Sequence, residues 1–355
     1  MEKKRIGYID VARGIAMISI VLGHLGQPNF NRVVFTYDLP IFFLISGYFF
    51  DTDSSFSTFM VRKLRQLIVP YCFTCLLYLI CSSCMNAAYH EPWNANLSSR
   101  LIACLYGAGD SWPQPFNISA IGAIWFLWAL FWTSVALKLL LRLKPILRIA
   151  SVAVLFCLSC WSWRIIWLPL SIQAGGCALL FVYIGYLLRK LLPKLRNASI
   201  SFEIKAAGAL LALAMWVWFI HTFTAFWLVH CEIGNGMSDI IGSLCGCVVL
   251  LLLSRCIERW ARPLAAPLAF YGRYSLIFLS IHLVELNCVR YWEIYPRFLA
   301  MTGLADSTAL FLGFAIAAKL AIITVIMLAI YRIPPIRCLY GYRPLEKKRG
   351  AGQNA

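Results

Sequence analysis

Ten apolar runs, parted by short basic clusters, decide what this chain can fold into. They cover about residues 8–25, 33–50, 67–88, 118–137, 146–163, 167–189, 206–229, 239–254, 264–288 and 309–331. A helix needs roughly 17–25 apolar residues to cross a bilayer. Runs of this length predict an all-α, polytopic membrane bundle of about ten transmembrane helices. The balance of 61% hydrophobic and 13% charged residues, with a mean hydropathy of +0.76, excludes a soluble globule. The first run begins at once and lacks a small-residue cleavage site, so it is expected to stay as a span.

The net charge of +17 is distributed unevenly. One set of connections holds Lys3, Lys4 and Arg5; Arg62, Lys63 and Arg65; Lys138, Arg142, Lys144 and Arg148; and Arg189, Lys190, Lys194, Arg196 and Lys205. Arg255, Arg259 and Arg262 continue it, and Arg332, Arg337, Arg343, Lys347, Lys348 and Arg349 close it. The alternate set holds only Arg32, Arg100, Arg164, Arg290 and Arg297. By the positive-inside rule this predicts both termini in the cytoplasm and an even number of spans. A nucleic-acid partner would need a continuous basic face, which the scatter excludes. Among 14 cysteines, Cys72/Cys75, Cys81/Cys84 and Cys157/Cys160 have metal-like spacing. Each pair lies inside an apolar run, where Cys acts as a small hydrophobe, so no metal site is expected. Residues 1–345 read as one membrane domain, and 346–355 as a short, basic, disordered tail. The longest outer loop, about 89–117, is expected to cover or line an outward-facing site.

Two titratable residues interrupt the first run. Arg13 and His24 are eleven residues apart, roughly three helical turns with about 20° of drift, so they share a face roughly 16 Å apart along the axis. Asp10 lies near that face. Such groups are expensive inside a membrane and mark function by default. Imidazole suits general base work, and guanidinium suits phosphate or carboxylate recognition. Interhelical glue or snorkelling would be the plainer roles. In the second run Pro40 should break the helix near its outer third, and Ser46-Gly47 offers a small surface for close approach. Asp38, at the depth of His24, either orients the imidazole or caps a helix. In the ninth run Arg273, Tyr274, Ser275, His282 and Glu285 form a second polar group, with His282 and Glu285 spaced to pair. Trp125 is a candidate for sugar stacking within an outer aromatic belt with Trp128 and Trp132. His90, His221 and His230 read as ordinary loop or interface residues, and the partner of Lys319 is not legible.

In order along the chain, the motifs are Asp10-x-x-Arg13-Gly14 with Arg13-x10-His24, Phe42-Phe43-x-x-Ser46-Gly47-Tyr48, and Arg62-Lys63-Leu64 through Leu67-Ile68-Val69-Pro70-Tyr71. Ile124-Trp125-Phe126-Leu127, Tyr183-Ile184-Gly185-Tyr186-Leu187-Leu188-Arg189 and Tyr271-Gly272-Arg273-Tyr274-Ser275 with His282 complete the series. Together they resemble the membrane acyltransferase-3 family, whose ten-span members O-acylate sugars of surface glycans or related acceptors. The nearest flavour is the fucose 4-O-acetylase-related branch, which often has His-Met where this chain has Asp38-Leu39. The resemblance implies acetyl-CoA as cytoplasmic donor substrate with no permanently bound cofactor, and a glycan or lipid-linked saccharide acceptor outside. It implies His24 as acid/base centre; the reading of the residues themselves adds Arg13 and Asp10 to the catalytic set, and Asp38, Ser46, Trp125, Arg273, Tyr274, His282 and Glu285 as candidate substrate-binding residues. Membrane lipids and a second copy of the chain are the other expected partners, in a bacterial inner membrane. Many relatives carry an extracytoplasmic domain after the last span; here about 24 residues follow it, so transfer is expected to finish within the membrane domain. A transporter or flippase using Arg13 and His24 as a proton relay is the rival, although internal repeats and paired broken helices are not visible.

Overall fold

A computed structural model describes residues 6–197 and 201–342, with only the backbone of 195–197. Lys3, Lys4, Arg5, the Arg196 side chain and the tail from Arg343 lie outside the described residues. The chain opens with helices α1 (Gly7–Gly23), α2 (Pro28–Val34) and α3 (Asp38–Tyr48). Helix α4 (Phe56–Lys63) passes through a π-helical turn at Leu64–Ile68 into α5 (Val69–Ala88). Then come α6 (Leu97–Tyr106), α7 (Trp125–Leu140), α8 (Pro145–Ser162), α9 (Ile172–Asn197) and α10 (Phe202–Thr222). A two-residue hairpin, β1 (Phe226–Trp227) against β2 (Glu232–Ile233), precedes α11 (Met237–Trp260). The chain continues through α12 (Arg262–Arg273), α13 (Ser275–Cys288), α14 (Tyr291–Thr302), α15 (Thr308–Arg332) and α16 (Pro334–Leu339).

The all-α membrane bundle expected from the sequence is present. Among the described residues, six helical segments are long and apolar enough to cross a bilayer, or seven if the bent pair α12–α13 counts as one. Two expected spans fall short as single helices, α3 with 11 residues and α7 with 16, and α1 with 17 only reaches the lower limit. The second run divides at Phe35–Tyr37, ahead of Pro40 and not at it. Pro40 occupies the first turn of α3, where a missing N–H deprives no carbonyl. The fourth run starts as extended chain, with Trp112 bridged to Ile118, and becomes helical at Trp125. The seventh stops at Thr222 and turns into the hairpin. The ninth breaks at Tyr274 with a bend of 77°. These apolar residues face protein as well as lipid, so their hydrophobicity does not require an unbroken span.

Helix α1 threads the middle of the bundle, with Ala12, Ala16, Met17 and Val21 buried. Lipid tails are as apolar as leucine, so helices associate here through close packing of small residues. Two crossings are built that way, each by reciprocal glycines. A Cβ on Gly14 would overlap the Leu268 carbonyl of α12, and one on Gly272 would overlap the Asp10 carbonyl of α1. Likewise Gly47 of α3 meets Val182 O of α9, while Gly185 of α9 meets Leu44 O of α3. By contrast, only 6% of the most apolar stretch of α10 and 11% of that of α8 is buried, so both present long apolar faces suited to lipid. Ser55, Ser201 and Ser307 cap the starts of α4, α10 and α15. At the basic end, where α1 begins, Lys138 Nζ binds the carbonyls of Asp51 (3.1 Å) and Thr52 (3.0 Å), and Arg189 binds Phe50 O (2.6 Å), fixing the α3–α4 link.

Candidate active site

The elements around α1 enclose a cavity of about 770 Å³. Lys63, Gln66 and Tyr342 line it at the basic end; Asn31, Asp110 and Trp227 line it at the opposite end. Arg13 and His24 both open onto it, so the helical face inferred from their spacing is an inward wall.

Arg13 projects from the middle of α1. Its Nη2 donates to Ser275 Oγ at 2.9 Å, and its guanidinium carbon lies 5.7 Å from the Phe42 ring centroid. Ser275 is the first residue of α13, brought there by the break at Tyr274. Among the described residues, Arg13 Nε is buried without a hydrogen-bond partner. A guanidinium held this way keeps donors for an anionic or carbonyl oxygen.

His24 caps the C-terminus of α1, where the last carbonyls lack helical partners. Its Nδ1 lies 2.7 Å from Ile20 O. A carbonyl can only accept, so Nδ1 carries the proton and Nε2 keeps its lone pair; the tautomer is assigned from this bond. His24 is accessible from the cavity, although protein surrounds it at longer range. Behind it, His282 Nε2 approaches His24 Nδ1 at 3.5 Å, with the rings edge-on at 73°. His282 Nδ1 lies 3.0 Å from Glu285 Oε2, and Lys319 Nζ donates to Glu285 Oε1 at 2.7 Å. Lys319 also sits 4.4 Å over the Tyr291 ring. All three are buried: His282 at 0% exposure, Glu285 at 3% and Lys319 at 4%. The expected His282–Glu285 pairing therefore holds, and Glu285 is the Lys319 partner that the sequence left unnamed.

Asp38, Ser46 and Trp125 line the cavity. Asp38 Oδ1 accepts the Leu39 N–H at 2.6 Å, the capping alternative. Among the described residues no hydrogen bond joins Asp38 to His24; the carboxylate that reaches His24 is Glu285, through His282. Asp10 and Arg273 lie outside the lining and face each other at 3.8 Å, because α12 crosses α1 there. Tyr274 stands at the break with its ring packed among Phe270, Tyr331 and Tyr342, also outside the lining. Trp132 of the expected belt bonds Leu170 O at 3.1 Å.

Polar lining residues that the sequence did not single out include Gln66, Asn31, Asp110 and Asn287. Gln66 is carried by the π-helical turn, and such turns are often functional. Asp110 lies in the long loop expected to line a site. His230, read as an ordinary interface residue, binds Asp110 Oδ2 at 3.0 Å and packs among Trp112, Trp163 and Trp167. That hydrogen bond, together with one from the Ser111 N–H, holds the Asp110 carboxyl below the usual carboxylate range.

The arrangement places an oriented imidazole and a guanidinium on the wall of one cavity. Across residues 6–331 the chain matches the sequence model of the acyltransferase-3 family, described as an acyltransferase domain. No curated protein and no solved structure matches it. With the match spanning nearly the whole helical bundle, the chain belongs to the acyltransferase-3 family of integral membrane acyltransferases.

Proposed function

We propose that this protein is an O-acyltransferase that moves an acetyl or other short acyl group from acyl-CoA to a hydroxyl of a cell-surface glycan or lipid-linked saccharide. The observation that carries the reading is His24 and Arg13 on one cavity wall, with His24 Nδ1 tied to Ile20 O and Nε2 left to act. The charge pattern supports the basic end facing the cytoplasm of a bacterial inner membrane. Acyl-CoA, an anion, would enter past Lys63, with Arg13 holding a phosphate or the thioester oxygen. The acceptor would enter from the opposite end, beside Asn31, Asp38 and Trp125, with Ser46 further along the same cavity.

In the reaction, His24 Nε2 takes the proton of the acceptor hydroxyl as its oxygen attacks the thioester carbonyl. The new C–O bond forms, the C–S bond breaks, and the departing thiolate takes that proton back as CoA-SH. Asp10, Arg273 and Tyr274 act in this scheme by holding α12 against α1, which places Ser275 under Arg13. The fucose 4-O-acetylase-related likeness favours a deoxyhexose or similar sugar, with Asp38-Leu39 giving a different acceptor wall from the His-Met pattern. Membrane preparations given labelled acetyl-CoA and a glycan acceptor test the proposal. His24→Ala, eluting as folded protein, should transfer about 10²–10⁴-fold more slowly; undiminished transfer would refute the reading.

A further inference from the structure

The hydrogen bonds behind His24 can be satisfied in only one consistent way. Lys319 Nζ–H donates to Glu285 Oε1, and the other carboxylate oxygen accepts from His282 Nδ1–H. His282 Nε2 therefore bears a lone pair, which faces His24 Nδ1 at 3.5 Å. The His24 Nδ1–H lies between that lone pair and Ile20 O, both acceptors. With these donors matched, the imidazole lone pair left uncommitted is His24 Nε2, on the residue that lines the cavity.

We infer that Glu285 and Lys319 are positioning residues, a charge-neutral buried pair that fixes His282 and, through it, the reactive tautomer of His24. The charged and titratable groups facing His24 are His282 and Glu285 from α13 and Lys319 from α15. A lone carboxylate behind two imidazoles in an apolar wall would draw a proton onto one of them and consume the base at rest. A lone ammonium would oppose the proton that His24 must carry during transfer. Together the two charges cancel at the imidazoles, while the carboxylate geometry still orders the chain of donors. This use of Lys319 rests on the acyl-transfer reading above.

A charge-paired cycle separates this role from that of a mere staple between α13 and α15. Lys319→Met strands the carboxylate: kcat should fall by about 10²-fold with KM for acyl-CoA unchanged, and the acidic limb of the pH–rate profile should move to higher pH. Glu285→Gln strands the ammonium, lowering kcat and moving that limb the other way. The double variant Glu285→Gln/Lys319→Met should regain kcat to within about tenfold of wild type and return the limb, since the glutamine oxygen still accepts from His282 Nδ1–H. Should Lys319→Met not fold, Lys319→Gln takes its place in the cycle. A double variant as slow as either single, or single variants with unmoved pH profiles, would overturn the positioning role. Wild-type protein silent in the transfer assay would instead retire the acyl-transfer reading.

Discussion

Arg13 and His24 were legible because helical geometry fixes the angle between residues on one α-helix whatever surrounds it. Neighbours supplied by other helices were not. His282 is 258 positions from His24, and no pattern along the chain brings those two rings together. The same limit explains Asp10, whose spacing places it near the stripe but which faces Arg273 of α12 at 3.8 Å. Lys319 looked solitary because its carboxylate lies 34 residues earlier, on another helix. Arg13 itself yields a direct expectation. With Ser275 occupying one nitrogen and Nε unpartnered, Arg13→Gln should raise KM for acyl-CoA by about 10–100-fold, as loss of a charged hydrogen bond worth roughly 1.5–3 kcal/mol implies. Arg13→Lys should recover only part of this, because a point charge cannot copy the planar fork. Initial rates against acyl-CoA concentration, with acceptor saturating, give the answer.

Among the elements, the interhelical crossings govern placement. Ser275 meets Arg13 only because Gly14 and Gly272 let α1 and α12 touch backbone to backbone, just ahead of the bend that starts α13. The obstruction at Gly272 is a main-chain carbonyl, which cannot swing away as a side chain can. Gly272→Ala should therefore cost about 1–3 kcal/mol of stability in detergent. Gly313, in α15, has open space around it, so Gly313→Ala should leave stability unchanged or slightly raised. Thermal or denaturant melts of the purified variants distinguish the two. The sequence showed Ser46-Gly47 as a small surface but not Gly185 as its counterpart, since a glycine in an apolar run does not name its neighbour. The hairpin after α10 and the break at Tyr274 were hidden for a related reason: a run that leaves a span to line an internal wall keeps its hydrophobicity.

Across the whole molecule, the fold class and most of the helical content followed from the length and number of apolar runs, while the breaks that divide several runs into shorter helices did not. The short helices α1, α3 and α7 gather around the cavity, where protein takes the place of lipid, and the long ones α8, α10 and α15 stand largely outside it. A passage that approaches both membrane faces has a second consequence. Unless something dries it, it is a short circuit for protons, with an imidazole and a guanidinium on its wall as ready stepping stones. Met17, Ile20, Phe42 and Leu279 are apolar members of the wall that Arg13 and His24 share, and an apolar wall discourages a continuous file of water. Vesicles holding idle wild-type protein should keep an imposed pH gradient, whereas Met17→Ser/Ile20→Ser protein should let it decay faster. On the proposed reading, catalysis across the bilayer would be bound to insulation: residues that never meet the chemistry would let a cell keep its proton-motive force between turnovers.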